Sequence, residues 1–164
     1  MEEELQSMYD NEVWTLTKLP ENKTAVGSKW VFKTKTDDQG NANKFKARLV
    51  AQGFNQKYGT DYDEVFAPVA KITTLRTLLV VAGKTGMKVR HFDVKTAFLN
   101  GNLDEDVYMK QPEGFLVKEK EDLVCKLNKS IYGLKQSARV WNQKFDNTLV
   151  QNGFEKSEAD PCLL

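Results

Sequence analysis

The stretch His91-Phe92-Asp93-Val94-Lys95-Thr96-Ala97-Phe98-Leu99-Asn100-Gly101 sets one acidic residue at a predicted strand end, with an aromatic residue five positions further on. That arrangement suits metal-dependent nucleotidyl transfer. A divalent metal takes carboxylate oxygens plus substrate phosphate oxygens, and two metals clamp the attacking and leaving oxygens of an in-line displacement. Asp93 alone reads as a solvated or capping carboxylate after a strand, so the text on either side has to decide between the two.

Working outward, Met87–Asp93 is predicted as a buried strand, with Val89 and His91 on one face and Lys88, Arg90 and Phe92 on the other. His91, the only histidine, is expected to be a strand side chain beside the site. Pro68 starts a predicted helix running to Gly83 or Gly86, whose core face is Ile72, Leu75, Leu78, Leu79 and Ala82. Residues 29–37 and 44–53 read as two strands joined by Asp38-Gln39-Gly40-Asn41, a turn of residues that tolerate positive φ. Alternation places Val31, Lys33 and Lys35 on one face of the first strand, and Trp30, Phe32 and Thr34 on the other. Lys44, Lys46 and Arg48 share a face of the second, so the hairpin can grip a triphosphate or a template backbone. Residues 1–11 read as a short anchoring helix with Leu5 and Met8 on one face, leading to Trp14 and Leu16.

Downstream, Leu99-Asn100-Gly101 starts a turn, and the acids Asp104, Glu105 and Asp106 are expected to face water. Residues 107–111 form a second short predicted strand, ended by Pro112-Glu113-Gly114. Ser130–Gly133 is a turn into a last helix, with Ser137 as the expected N-cap, Trp141, Phe145 and Leu149 every four residues, and Asn152-Gly153 as its end. There are no internal repeats, low-complexity stretches or linkers.

With 164 residues, 40% of them hydrophobic and 10% aromatic, the chain suits one domain with a real core, folding as one unit or two coupled lobes. A formal net charge of +1 gives no global attraction to nucleic acid, but the charge is uneven. Residues 1–12 carry five acids and no base, whereas residues 29–57 carry seven cations against Asp37 and Asp38, a net of +5. The stretch 104–122 swings acidic and 126–144 basic, which points to a local phosphate-facing surface rather than a basic tail. Cys125 and Cys162 make no Cys-x-x-Cys pair, and a single histidine excludes the usual zinc clusters. Both are expected as reduced thiols of a cytosolic or nuclear protein. The acidic start Met1-Glu2-Glu3-Glu4 is unlike a signal or transit peptide, and the longest apolar run, Leu78–Gly83, is too short to span a bilayer. The expectation is therefore a protein neither secreted nor membrane-bound.

Five blocks carry a resemblance: Lys29-Trp30-Val31-Phe32-Lys33; Lys46-Ala47-Arg48-Leu49-Val50-Ala51-Gln52-Gly53; Asp61-Tyr62-Asp63-Glu64-Val65-Phe66-Ala67-Pro68-Val69; Tyr108-Met109-Lys110-Gln111-Pro112-Glu113-Gly114-Phe115; and Ser130-Ile131-Tyr132-Gly133-Leu134-Lys135-Gln136-Ser137-Ala138-Arg139. Together with the stretch around Asp93, in this order and spacing, they resemble the reverse transcriptase of copia-type LTR retrotransposons, over essentially the whole chain. The resemblance implies an α+β fold, a right-hand polymerase fingers–palm segment with an antiparallel sheet and packed helices. Residues 1–164 would be a partial reverse transcriptase domain, with about 1–86 mostly fingers and about 87–164 mostly palm, incomplete. It implies RNA-directed DNA polymerase activity using Mg²⁺ or Mn²⁺, for the complete domain only. Implied partners are an RNA or DNA template-primer, deoxynucleoside triphosphates and the remainder of a Pol polyprotein, without a membrane. The implied setting is a cytoplasmic virus-like particle or the nucleus. Two departures stand out. The family's second carboxylate pair lies in a Tyr-Val-Asp-Asp-like hairpin shortly after an Asp-Pro-Cys-Leu segment, and here Asp160-Pro161-Cys162-Leu163-Leu164 closes the given sequence. Ala138 stands where relatives often carry proline.

By the same resemblance, Asp93 would hold both metals, with the backbone carbonyl of Val94 as a further ligand. Phe98 would lie under the sugar of the incoming nucleotide and exclude a 2′-hydroxyl, the group that tells RNA from DNA building blocks. Lys46 and Arg48, with Lys33 or Lys35, would neutralise the triphosphate, arginine as a bidentate partner and lysine as a point charge. Tyr132 and Gly133 match a turn that packs against the incoming base pair, where glycine permits close backbone approach. Lys135 and Arg139 would follow template phosphates, with a solvated helix face as the plain alternative. With a single catalytic acid, these residues alone are expected to be inactive, and a catalytically dead remnant with weak nucleic-acid binding is the other reading.

Overall fold

The computed structural model describes all 164 residues, and its order of elements is helix α1 (Glu2–Asp10), strands β1 (Trp14–Thr17), β2 (Ser28–Thr36) and β3 (Ala42–Ala51), helix α2 (Ile72–Thr85), strands β4 (Tyr108–Met109) and β5 (Val124–Leu127), and helix α3 (Ser137–Gln151). Three helices and two antiparallel sheets make an α+β fold, as the sequence indicates. Glu2, Glu3 and Glu4 sit in the first turn of α1, where carboxylates favour the positive end of the helix dipole. Leu5 and Met8, one turn apart, are its buried side chains.

β2 and β3 pair in a long hairpin. Its turn closes because the Asp37 side chain accepts the backbone N–H groups of Gln39 and Asn41 at 3.0 and 2.8 Å, while Gly40 takes φ +86°. The second sheet has the order β1–β5–β4, with β5 central. β5 escaped the sequence reading because four residues with a lysine among them carry little periodic signal. The two sheets are joined at the hairpin's root. The Val26 N–H donates to the Tyr108 carbonyl at 2.8 Å, and the Lys110 N–H returns to Val26 at 2.9 Å.

The core of twelve buried residues gathers Met8 and Val13, Val26, Leu49 and Ala51 of β3, Leu99, Val107, Met109, Cys125, Leu127, and the pair Ile131 and Leu134. Burial pushes the Cys125 thiol up to about 12, and both cysteines are free.

Three expectations are corrected. α2 begins at Ile72, not Pro68, and its apolar stripe is not a core face: Leu75 is 50% exposed, Leu78 and Leu79 are exposed too, and only Ala82 is buried. Residues 87–93 form neither a strand nor a buried segment, and Phe92 is 81% exposed. A strand needs ladder partners for its N–H and C=O groups, and the strands of both sheets pair elsewhere. Finally, Ser137 is the first residue of α3 and not its cap: its hydroxyl donates to the Ile131 carbonyl at 2.5 Å, and Gln136 is the N-cap, its side chain making no capping bond to the helix.

Candidate functional site

The β2–β3 register sets Lys33 opposite Lys46, Lys35 opposite Lys44, and Val31 opposite Arg48. Residues directly opposite share a face, so the cations project together from one side of the hairpin. Lys33, Lys35 and Lys44 near the tip are exposed, and Lys46 and Arg48 nearer the root are half-buried. Beside the root lies Glu4 of α1, which accepts the Leu49 N–H. Its burial raises the carboxyl above the ordinary range, against the lowering effect of that N–H and of Arg48 and Lys46.

Arg48 leads into the centre of the site. Its guanidinium carbon stands 5.1 Å from the centre of the Tyr132 ring, and Tyr132 meets Phe98 edge-on at 4.8 Å between ring centres. Three segments far apart in sequence thus contribute one continuous stack. Phe98 is half-buried and rides on a short 3₁₀ turn, Ala97–Asn100. That turn is pinned from the other side, where the Ser130 hydroxyl donates to the Phe98 carbonyl at 2.5 Å. It is entered through Thr96 at φ +51°, a costly conformation for a β-branched residue that the flanking bonds impose.

Gly133 fixes Tyr132 against β3. It takes φ +91°, and a Cβ there would lie 2.2 Å from the Ala51 carbonyl oxygen and 2.6 Å from a Val50 methyl. The Ala51 N–H donates to the Tyr132 carbonyl at 2.8 Å. In this structure, the close approach that needs glycine is to the chain's own strand.

Lys135 and Arg139 already have partners. The Lys135 ammonium donates to the Tyr62 hydroxyl at 3.2 Å and lies over its ring, and Arg139 is paired with Glu64. Around them runs a buried network that the sequence reading missed. Gln56 donates to the Gln136 side chain at 3.0 Å, Gln136 donates to the Asp61 carbonyl at 2.9 Å, and the Asp61 carboxylate accepts the Lys57 N–H at 2.8 Å. The network pins residues 56–64 to the start of α3. Its only sequence signal is that Gln56, Asp61 and Gln136 lie in or beside quoted blocks, and nothing in composition marks a glutamine as buried.

Asp93 and Val94 stand exposed in a segment without regular structure. No group of three or more His, Cys, Asp or Glu side chains is arranged to hold a metal ion. The acid cluster 104–106 serves otherwise: Asp106 pairs with Lys126 at 2.7 Å, which holds its carboxyl below the usual range. The buried Asp160 accepts the Thr74 hydroxyl of α2 at 2.6 Å and the Cys162 N–H at 2.9 Å, and both hold its carboxyl low. No helix is long and apolar enough to cross a membrane.

Residues 11–164 match the family model described as reverse transcriptase (RNA-dependent DNA polymerase). The chain is 48% identical over 163 residues to the retrovirus-related Pol polyprotein from transposon TNT 1-94 of Nicotiana tabacum, covering 99% of this chain and 12% of that one. It is 44% identical over 164 residues to the corresponding polyprotein from transposon RE1 of Arabidopsis thaliana, covering 99% and 11% respectively. The Transposon Ty1-DR4 Gag-Pol polyprotein of Saccharomyces cerevisiae is 28% identical over 142 residues, 86% of this chain and 8% of that one. The chain therefore spans about an eighth or less of the length of these relatives. No solved structure matches it.

Proposed function

We propose, from the premise that this chain belongs to the reverse transcriptase family of copia-type retrotransposon Pol polyproteins, that its 164 residues supply the nucleotide-positioning part of an RNA-directed DNA polymerase. The observation that carries this reading is the stack Arg48–Tyr132–Phe98 at the root of a hairpin whose cations share one face. Lys46 and Arg48, with Lys33 and Lys35 further out, bind the triphosphate. Arg48 is held by the Tyr132 ring, so less side-chain freedom is lost when it takes up phosphate. Phe98, fixed by Ser130, presents a flat ring to the sugar and leaves no room for a 2′-hydroxyl. Fingers and palm are the corresponding lobes, with the hairpin in the first and Asp93, Phe98 and Tyr132 in the second. Template and primer, deoxynucleoside triphosphates and the rest of a Pol polyprotein are the partners, and Lys135 and Arg139 reach template phosphates once freed from Tyr62 and Glu64.

The divalent metals that the family implies would use Asp93 and the Val94 carbonyl. Two-metal catalysis needs further carboxylate oxygens, and the side chains of these 164 residues do not gather that donor set. What these residues do is bind and orient the nucleotide.

The test is a titration of the purified chain with dTTP, followed by two-dimensional NMR. Shifts centred on Lys46, Arg48, Phe98 and Tyr132, lost in K46E/R48E, are the expected result. Binding that survives the double charge reversal unchanged removes the reading.

A further inference from the structure

β4 and β5 are neighbours in one sheet, yet residues 110–123 between them make a long loop rather than a tight turn. A loop of this length depends on its own side chains to hold it. Gln111 does so from inside. It is buried, and both ends of its amide bond to the loop backbone. Nε2 donates to the carbonyls of Lys120 at 2.6 Å and Leu123 at 2.9 Å, and Oε1 accepts the Val117 N–H at 3.0 Å. Two donors and an acceptor on one flat group are what an amide offers and a carboxylate does not.

What the closed loop presents is Glu113 and Phe115. The Glu113 carbonyl accepts the Trp30 indole N–H at 3.1 Å, and the Phe115 ring lies 5.6 Å from the Trp30 ring. Phe115 is placed by a turn in which its N–H donates to the Pro112 carbonyl at 3.1 Å and Gly114 takes φ +80°. Trp30 belongs to β2, on the face turned away from Lys33, Lys46 and Arg48. The loop therefore grips the back of the hairpin, while the cations work from the front. The hairpin's backbone is tied to the body at its base, through Val26 to Tyr108 and Lys110 and through Ala51 to Tyr132. Those ties fix where the strand pair starts, and a contact further out along β2 sets its tilt. Strands rise about 3.3 Å per residue, so Lys33 stands about 10 Å beyond Trp30, and a change of tilt at the tryptophan is enlarged at the lysine.

We infer that Gln111 is a positioning residue for nucleotide binding: by closing the loop 112–123 it braces Trp30, and so holds the β2–β3 hairpin at the angle at which Lys46 and Arg48 take up the triphosphate. It rests on those two cations being the triphosphate ligands. Gln111 itself touches no nucleotide, and its effect passes through Glu113, Phe115 and Trp30.

The experiment is a dTTP titration of the purified chain followed by NMR, with melting temperature and the residual dipolar couplings of residues 31–46 measured for each variant. Q111M keeps the length of the side chain and removes its three hydrogen bonds. It should weaken dTTP binding by about fivefold, the factor expected when an unbraced hairpin spends about a fifth of its time at the binding angle. The couplings of residues 31–46, taken in the frame of the β1–β5–β4 sheet, should change with it. W30L cuts the brace at its other end and should weaken binding by a similar factor. Q111M/W30L should be no weaker than either alone, because both break one path. T74V, which removes the hydrogen bond to Asp160 and leaves the brace intact, should bind dTTP as the parent does. Q111E is a second variant at the position: its carboxylate keeps the Val117 bond but faces two carbonyls, and regains a donor only when protonated. Its loss of affinity relative to the parent should therefore narrow between pH 8 and pH 5.

Parent-like affinity in Q111M or W30L overturns the inference, as do losses that multiply in the double variant, an equal loss in T74V, or a Q111E loss independent of pH. The larger reading fails separately. Unchanged dTTP binding in K46E/R48E takes down the proposed function, whereas parent-like couplings of residues 31–46 in Q111M sink the brace whatever the nucleotide does.

Discussion

At the scale of single residues, the site turns on how Phe98 and Gly133 are held. Phe98 is half-buried between Tyr132 and the α3 side of the molecule. Truncating a fully buried phenylalanine costs roughly 3–5 kcal/mol, so Phe98→Ala should cost roughly 1–2 kcal/mol, read as the shift in urea midpoint. Phe98→Tyr should leave stability nearly unchanged. A full core-sized loss would make Phe98 a packing residue rather than the wall of a cleft. Gly133→Ala should be the more damaging change. It meets both a left-handed backbone and the Ala51 carbonyl 2.2 Å from the new carbon, so at least ~2 kcal/mol should be lost on denaturation. Because Tyr132 follows its neighbour, the same variant should bind dTTP more weakly. Phe98, Arg48 and Gly133 were each legible as residues of interest from the blocks around them. That Arg48 lies over the Tyr132 ring was not, since the two are more than eighty positions apart and only folding brings them together.

At the scale of elements, the hairpin and the tie between α2 and the C-terminal turn behave differently. The hairpin's cations act through phosphate contacts, and each contact with a single strand contributes roughly −0.7 to the log-log salt slope. K46E/R48E should therefore flatten the slope of oligonucleotide binding by roughly 1.4, with the chain still folded. An unchanged slope would remove those two residues from the phosphate path. The tie is the Thr74–Asp160 hydrogen bond, which with the Cys162 N–H holds the Asp160 carboxyl below its ordinary value. A carboxyl depressed in the folded state contributes stability that is present above its unfolded value, near ~3.9, and lost as the pH falls through the lower folded value. Thr74→Val should thus lower the urea midpoint at pH 7, and the gap to the parent should close in acid. A gap independent of pH would show that the threonine acts through packing alone. Both strands of the hairpin, its turn and α1 were readable from alternation, turn residues and one-turn spacing, because these are local signals. The start of α3 misled: a serine before an apolar run looks like a cap, and here its hydroxyl goes to Ile131 instead.

At the scale of the whole molecule, the acids fail to converge. No three His, Cys, Asp or Glu side chains gather around a metal-sized site, so the purified 164 residues should not extend a primer with Mg²⁺ or Mn²⁺ and deoxynucleotides. Templated products that disappear in Asp93→Asn would overturn this. The sequence by itself determined the family, the α+β class and the hairpin with its cations on one face. Those follow from short-range patterns and ordered motifs. Only the tertiary structure decided which side chains meet. It joined Arg48, Tyr132 and Phe98 into one stack, engaged Lys135 and Arg139 with Tyr62 and Glu64, and drew the core from α1, β3 and the β1–β5–β4 sheet while leaving the apolar stripe of α2 and residues 87–93 outside it. The reason is physical. Periodicity says which residues of an element share a face, but burial and pairing depend on what the rest of the chain brings to that face. A strand pattern without a partner's N–H and C=O groups does not become a strand.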